Sequence, residues 1–297
     1  MSSAQVSSPE PSIPRCPECG RPAPVLFRRI RSFHASSEFQ IARCPHCRFG
    51  FTVPFGTDAS FYSEESYGYE RIKAHLFEIE YRNRDYAAWL SRLTRGRVLE
   101  IGCMFGLFLD ELRRYSFDVE GIELGPQPCA ETRAKGIPCF QGAVEDFAAE
   151  PRTVFDAVAS FHTLEHVTRL DPFFAAVRKV LAPDGILLLA VPDFARAARW
   201  KGRWGWILAP AHQFHFTEES LLPILERHGF RPEAVERRGG DAPFYISCLY
   251  NLIGLRGGKQ IRPATAKFLY RAFYHLLAKP RFRTGREELL VVSRRAK

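Results

Sequence analysis

The stretch RVLEIGCMFGLFLDEL, residues 97–112, has the pattern of a buried strand, a tight turn and a helix. Its first residues are mostly apolar, two glycines bracket the turn, and apolar side chains recur with helical spacing after Gly106. Turns of this kind bind nucleotide cofactors, because they place backbone amides beyond the end of a strand. Cys103, Met104 and Phe105 occupy the middle of the turn, where a dinucleotide-binding turn carries a further glycine. The stretch therefore predicts a cofactor loop and leaves the cofactor open.

The chain beyond this loop alternates between strand and helix patterns. Apolar runs predict strands at 97–101, 117–122, 154–160, 185–191 and 287–295. Helical periodicity predicts helices at 106–115, 126–135, 170–181 and 217–228. Strands that alternate with helices are typical of an α/β fold, so we expect a doubly wound sheet.

Acidic residues near the loop indicate which cofactor it suits. Glu123 ends the predicted second strand about 20 residues past the loop, where a carboxylate can accept both ribose hydroxyls of an adenosine. The bulky Met104 and Phe105 would crowd a pyrophosphate, and the loop has no basic residue. Glu100 and Glu123 suit a cationic group instead. The pattern favours an adenosine cofactor with a sulfonium centre over a dinucleotide.

Four of the eight cysteines form two C-x-x-C motifs. Cys16 and Cys19 are separated by 24 residues from Cys44 and Cys47. Each motif supplies two thiolates from one tight turn, which is the spacing of a tetrahedral zinc site. Two disulfides or two redox motifs are the alternative, but disulfides are rare in cytosolic proteins, and these cysteines lack the surrounding βαβ unit of a thioredoxin-type motif. We expect structural Zn²⁺, since four thiolates leave no open position for a substrate.

Charge is distributed unevenly along the 297 residues. The net charge is +9, and residues 255–297 contain twelve basic and two acidic residues, so the rest of the chain is almost neutral. This basic segment predicts an anionic partner: nucleic acid, an anionic membrane surface or a phosphorylated substrate. No apolar run is long enough to span a bilayer, and residues 1–14 lack the apolar core of a signal peptide, so we expect a cytoplasmic protein.

Taken together, the motifs resemble those of the class I S-adenosylmethionine-dependent methyltransferases. VLEIGCMFGLFLDEL resembles the first motif of that family, VEGIEL its ribose-binding strand end, and GAVEDF (142–147) the segment beside the adenine. FDAVASFHTLEHV (155–167) resembles the fourth-strand motif, whose end faces the methionine moiety and the acceptor. Met104 replaces the middle glycine of the family's loop, and Ala143 replaces an acidic residue.

The resemblance implies a seven-stranded Rossmann-like sheet and a set of cofactor-binding residues. Gly102, Cys103 and Gly106 would contact the amino acid part and the adenosine, Glu123 the ribose, Val144 and Glu145 the adenine, and Phe161 the methyl-bearing sulfur, with Glu100 close to the cationic part. S-adenosylmethionine and structural Zn²⁺ are accordingly the expected cofactors.

One subgroup of that family carries a four-cysteine ribbon and a tyrosine-rich segment before the catalytic domain, and CPHCRFGFTVP and FYSEESYGY resemble these parts. We therefore expect a disordered lead-in at 1–14, a zinc ribbon at 15–57, a helical connector or lid at 58–95, and a methyltransferase domain at 96–297 with a basic helical insertion at about 245–283.

Four histidines lie in the segments expected to border the acceptor: His162, His166, His212 and His215. A base is needed if the acceptor must lose a proton, and histidine suits that role near neutral pH. We expect His162 or His215 to be the base and His166 to stabilise the turn.

The acceptor is expected to be a small molecule, sugar-like or otherwise hydroxylated, methylated on oxygen or carbon. Tryptophans at 200, 204 and 206, with nearby arginines, could line its pocket or anchor a loop in the core. Two alternatives stay open: an RNA methyltransferase that uses the ribbon and the basic segment, and a non-catalytic binding module. The sequence does not predict the oligomeric state.

Overall fold

The computed structural model describes residues 13–31, 38–56, 69, 76–150, 154–195, 209–238 and 288–296. The predicted insertion at 245–283, the tryptophan segment, residues 1–12 of the predicted lead-in and most of the tyrosine-rich segment lie outside these residues.

A seven-stranded sheet forms the centre of the larger part of the chain. Its strands are β4 (Arg97–Ile101), β5 (Asp118–Glu123), β6 (Cys139–Gln141), β7 (Phe155–Phe161), β8 (Leu181–Pro192), β10 (Phe230–Arg238) and β11 (Glu288–Arg295). Their order is β10-β11-β8-β7-β4-β5-β6. The strands from β8 to β6 are parallel, whereas β11 lies antiparallel between β8 and β10. This mixed sheet confirms the predicted fold class.

The described helices are α1 (Leu76–Leu93), α2 (Leu107–Arg113), α3 (Pro126–Ala134), α4 (Val144–Phe147), α5 (Leu170–Val180) and α6 (Glu218–Arg227), with a 3₁₀ helix at Leu164–His166. Local sequence explains several of their starts. Pro126 opens α3 with its fixed φ, and the Ser220 hydroxyl accepts a hydrogen bond from the Thr217 N–H (3.0 Å) at the start of α6.

Apolar residues of the central strands alternate between two cores on opposite faces of the sheet. In β8, Leu187 and Leu189 pack with residues of α4, α5 and α6, whereas Leu188 and Ala190 pack with residues of α1, α2 and α3. This is the period of two that a strand imposes on its side chains. Because helices cover both faces of the sheet, a ligand can reach it only at the ends of the strands.

A second, four-stranded sheet contains the cysteine motifs. It pairs β1 (Val25–Arg31), β2 (Glu38–Arg43) and β3 (Gly50–Val53) with β9 (Phe214–His215), which comes from the larger part of the chain. We call β1–β3 and the two cysteine motifs the ribbon. The ribbon therefore shares a sheet with β9, the short strand that precedes α6.

The contacts at this junction are buried and specific. The Thr52 N–H donates to the Gln213 carbonyl (2.9 Å), and the Thr52 hydroxyl donates to the His212 carbonyl (2.6 Å). Gly50 lies so close to His215 that a side chain at position 50 would meet its Cβ at 3.0 Å. Phe49 packs against Phe214, with ring centroids 5.1 Å apart. The ribbon is thus held against the larger part of the chain by hydrogen bonds and side-chain packing, in addition to the covalent connection.

None of the helices in the described part of the chain has both the length and the apolar character that crossing a membrane requires.

Candidate functional site

The predicted cofactor loop is the turn between β4 and α2. Gly102 and Gly106 adopt positive φ values of +75° and +66°. A side chain at Gly102 would approach the Thr163 hydroxyl to 2.2 Å, and one at Gly106 would approach the methyl carbon of Thr132 to 2.8 Å. Both glycines are therefore required by their backbone conformation and by close neighbours. Met104 also has a positive φ, +47°, without being a glycine.

Glu123 holds this loop against the end of β5. Its two carboxylate oxygens accept hydrogen bonds from the N–H groups of Met104 and Gly125, both at 2.8 Å. Burial raises the pKa of Glu123, and these backbone hydrogen bonds partly oppose that effect. The predicted ribose-binding carboxylate therefore also positions the loop, which sequence spacing did not indicate.

Glu100 lies in β4, directly before the loop, and is buried. One of its carboxylate oxygens, Oε2, has no hydrogen-bond partner among the described residues. Burial raises the pKa of this carboxyl well above its usual value, and Glu123 adds to the effect. A buried carboxyl oxygen without a hydrogen-bond partner is costly, and Glu100 lies directly beside the predicted cofactor loop.

The remaining predicted cofactor residues follow the ends of neighbouring parallel strands. Val144 and Glu145 open α4 just beyond β6. Phe161 ends β7, where its ring packs against Phe108 and Tyr86 with centroid distances of 4.9 Å to each. The structure thus places these residues at the same sheet edge as the loop and Glu123.

Cys103 has neighbours that its spacing did not predict. Its Sγ lies 3.7 Å from Sγ of Cys139, which in turn lies 3.2 Å from Sγ of Cys129. All three thiols are buried. They act as small core residues and pack in the core beside the loop.

His162 follows Phe161 at the end of β7 and pairs with Glu288. Its Nε2 lies 2.7 Å from Oε2 of Glu288, the first residue of β11. The Tyr86 hydroxyl donates to Oε1 of Glu288. A guanidinium nitrogen of Arg82 lies 3.9 Å from Oε2 of Glu288. The His162 backbone has a positive φ of +51°, a conformation often found at functional sites.

The charges of the His162–Glu288 pair stabilise one another. Burial would raise the pKa of Glu288, but His162, Arg82 and Tyr86 lower it to about 2. Burial would lower the pKa of His162, but the carboxylates of Glu165 and Glu288 outweigh that and raise it. Glu288 is therefore ionised, and its carboxylate favours the protonated form of His162.

Sequence reasoning missed Glu288, Tyr86 and Arg82. They come from β11 and α1, and Glu288 is 126 residues from His162. A signal was present: Glu288 is an acidic residue at the start of the otherwise apolar run LLVV, a position that a buried strand fills with a charge only when that charge has a partner.

His215, the other predicted base, lies at the junction of the two sheets. Its Nε2 is 3.0 Å from the Thr52 hydroxyl, and its ring centroid is 4.9 Å from that of Phe194. Burial lowers the pKa of His215 to about 3. The structure brings His162 to the predicted cofactor edge and places His215 against the ribbon.

The four motif cysteines converge. Their Sγ atoms all lie within 4.8 Å of one another, with Cys16 3.6 Å from Cys47 and Cys19 3.5 Å from Cys44. We call them the cysteine cluster. Burial raises the pKa of Cys44, but backbone N–H groups of Cys47 and His46 donate to its thiolate and lower the pKa to about 7. These N–H···S bonds favour the thiolate of Cys44, whereas burial raises the pKa of Cys16 to about 12 and also raises that of Cys47.

Comparison with known proteins identifies the family. A family model described as a methyltransferase domain matches residues 79–235, more than half of the chain. The chain belongs to the class I S-adenosylmethionine-dependent methyltransferases.

Individual relatives agree with this assignment. The methyltransferase is 32% identical over 120 residues to the ubiquinone biosynthesis O-methyltransferase of Xanthomonas oryzae pv. oryzae (strain PXO99A), an alignment that covers 38% of this chain and 50% of that protein. It is 29% identical over 159 residues to the protein of the same name from Cereibacter sphaeroides, covering 48% and 62%. The chain thus spans about half to three-fifths of the length of these relatives.

A solved structure shows the same fold. The S-adenosylmethionine-dependent methyltransferase of Archaeoglobus fulgidus superposes with a TM-score of 0.50 at 17% identity, covering 73% of this chain and 92% of that one.

Proposed function

We propose that this methyltransferase methylates an oxygen of a small hydroxylated acceptor, with His162 as the general base and Glu288 as its positioning residue. The observation that carries the proposal is the 2.7 Å contact between these two side chains at the end of β7. The relatives named as O-methyltransferases of ubiquinone biosynthesis support oxygen as the acceptor atom and a small molecule as the acceptor.

The cofactor edge suits S-adenosylmethionine. Gly102, Cys103 and Gly106 form a turn in which the two glycines leave no room for side chains, and Glu123 fixes the turn through Met104. Val144, Glu145 and Phe161 border the same edge, and the orphaned oxygen of Glu100 suits a cation. S-adenosylmethionine supplies a methyl group on a positively charged sulfur, the electrophile of the reaction.

The chain's own residues then position and deprotonate the acceptor. In its neutral form, His162 donates its Nε2–H to the Glu288 carboxylate, which leaves the proton-accepting lone pair on Nδ1. Glu288 is in turn fixed by Tyr86 and Arg82, so the imidazole is held in one orientation. Proton removal by a positioned base contributes about 10²–10⁴-fold to a rate, and holding the acceptor in line adds to it.

We further propose that the cysteine cluster binds structural Zn²⁺. In a tetrahedral site with Zn–S bonds of about 2.3 Å, sulfur atoms lie about 3.8 Å apart. The shortest Sγ–Sγ distances in the cluster, 3.5 and 3.6 Å, are close to that value. Four thiolates close the coordination shell, which fits a folding role and not a catalytic one.

The test is methyl transfer from labelled S-adenosylmethionine to a panel of phenols, catechols and sugars, with and without added RNA. We expect label in a hydroxylated small molecule. His162→Gln should lower kcat by about 10²–10⁴-fold and leave cofactor affinity, measured by calorimetry, within about twofold, because the change removes a base and no cofactor contact.

His228→Gln is the matched control, since His228 also lies beside a carboxylate, 3.6 Å from Asp171, but on a different part of the fold. It should retain wild-type kcat. Unchanged turnover in His162→Gln, or label appearing in RNA alone, would contradict the proposal.

A further inference from the structure

A second group of potential metal ligands lies next to His162. Glu165 and His166 are in the 3₁₀ helix after β7, and His212 lies just before β9. The Gln213 N–H donates to the Glu165 carbonyl (2.7 Å), which ties the two segments together. One ligand atom from each of the three side chains lies within 4.8 Å of the other two.

Glu165 has an unusual environment for a carboxylate. Its residue is 1% exposed, and neither carboxylate oxygen accepts a hydrogen bond from any described residue. Oε1 lies 3.5 Å from Nδ1 of His162 and 3.9 Å from Nε2 of His212, and neither contact has hydrogen-bond geometry. Because burying an unsatisfied carboxylate is costly, this side chain requires a further positive group.

His166 is oriented as a metal ligand would be. Its Nδ1 donates to the Ala211 carbonyl at 3.0 Å, which leaves the lone pair on Nε2. Histidines that bind metals typically donate their other ring N–H to a carbonyl or a carboxylate in this way. The His212 ring meets the His166 ring edge-on at a centroid distance of 4.6 Å, so the two imidazoles converge.

We infer that Glu165, His166 and His212 bind a divalent first-row transition metal ion, separate from the ion of the cysteine cluster. Two imidazoles and one carboxylate favour Zn²⁺, Fe²⁺, Mn²⁺ or Co²⁺ over Mg²⁺ or Ca²⁺, which prefer oxygen ligands throughout. Bonds of about 2.0–2.2 Å bring ligand atoms to within about 4.2 Å of each other. The present spacing needs only small side-chain rotations to reach that.

The place of the ion suggests what it does, and this step rests on the proposed function. Three protein ligands leave a coordination position for water or an acceptor oxygen, and the Glu165 carboxylate is 3.5 Å from the proposed base. An ion held by Glu165, His166 and His212 would bind the acceptor hydroxyl and lower its pKa, and His162 lies beside it to accept the proton. The acceptor is then a hydroxyl compound that can coordinate a metal.

The experiment measures metal content of the full chain produced in medium that contains Zn²⁺ or, separately, Co²⁺. We expect two ions per chain in the wild type. Glu165→Gln and His212→Gln should each retain one, the ion of the cysteine cluster, and the cobalt form should keep its thiolate charge-transfer absorption while losing the bands of the second site. His228→Gln should retain two.

Circular dichroism and S-adenosylmethionine binding establish that each variant is folded, and His166→Gln, at a partly exposed position, provides a third variant should Glu165→Gln misfold. One ion per chain in the wild type, or two in all three ligand variants, would overturn the site. His162→Gln separates the two proposals: it should keep both ions and lose turnover, so a wrong base assignment and a missing metal site give different results.

Discussion

The cysteine cluster and the His162–Glu288 pair are assembled in opposite ways. The cluster takes two thiols from each of two short turns, so most of its geometry is settled within a few residues of chain. The pair depends on β7, β11 and α1 meeting at one edge of the large sheet, across 126 residues. Damage to the first site should therefore appear mainly as lost folding, whereas damage to the second should appear mainly as lost chemistry.

The largest effect on stability is expected at the cysteine cluster. Cys44→Ser removes one of four thiolates, and because metal binding in such sites is coupled to folding, we expect a loss of at least ~4 kcal/mol. At roughly 2–4 °C per kcal/mol this lowers Tm by about 8–16 °C, measurable by calorimetry. A chelator should reproduce the shift in the wild type.

Cys129→Ser provides the control, as Cys129 is a fully buried cysteine outside the cluster. Its variant should keep the cluster's metal content and respond to the chelator as the wild type does. If Cys44→Ser kept the wild-type Tm and metal content, the cysteine cluster would not be the site that stabilises the fold, and the contrast with the His162–Glu288 pair would be wrong.

A smaller effect is expected for Glu288→Gln, and it should depend on pH. The folded-state pKa of Glu288 is lowered to about 2 from an ordinary value of 4.5. The ionised carboxylate of Glu288 therefore contributes stability that is fully present above pH 4.5 and is lost as pH falls from 4.5 towards 2. We expect the wild type to exceed the variant by about 1–3 kcal/mol at pH 7, with the gap closing over that range.

Urea unfolding at several pH values measures this gap. Glu236→Gln is the reference variant, because Glu236 pairs with Arg238 (2.7 Å) at the exposed surface, where ion pairs contribute little. A gap that stays constant from pH 7 to pH 2 would show that the ionised pair is not the source of the stability.

The smallest effect concerns the junction between the two regions. Thr52→Val keeps the shape of the side chain but leaves the His212 carbonyl and His215 Nε2 without the Thr52 hydroxyl. We expect a loss of about 1–2 kcal/mol in urea unfolding, with metal content unchanged. Thr94→Val, at a partly exposed position near the end of α1, should cost less than half as much; equal losses would mean that the junction adds no specific stability.

Local order along the chain explains what the sequence could predict. The strand–turn–helix at residues 97–112 and the two cysteine motifs depend on short-range spacing, and the structure shows the strand, the turn and the helix in that order and brings the four cysteines together. Boundaries were less certain: β5 runs from 118 to 123 and not from 117 to 122, which puts Glu123 inside the strand.

Long-range pairing explains what was missed. Glu288 lies 126 residues after His162, the residues that fix Glu288 (Tyr86 and Arg82) lie 76 and 80 residues before His162, and no periodicity links them. The sequence also did not predict the pairing of β3 with β9, because a strand of two residues, Phe214–His215, is too short to show an alternation of apolar and polar residues. His215 looked like a base in sequence for this reason, while its neighbours in space are Thr52 and Phe194.

The pairing of β3 with β9 also sets the order in which the strands of the four-stranded sheet can assemble during synthesis. Thr52 contacts His215 across 163 residues, so at a synthesis rate of about 5–20 residues per second β9 leaves the ribosome roughly 10–30 s after β3. During that interval β3 presents an open edge, which other strands can pair with. The four-stranded sheet of the nascent chain is therefore complete only after Phe214 and His215 have been synthesised.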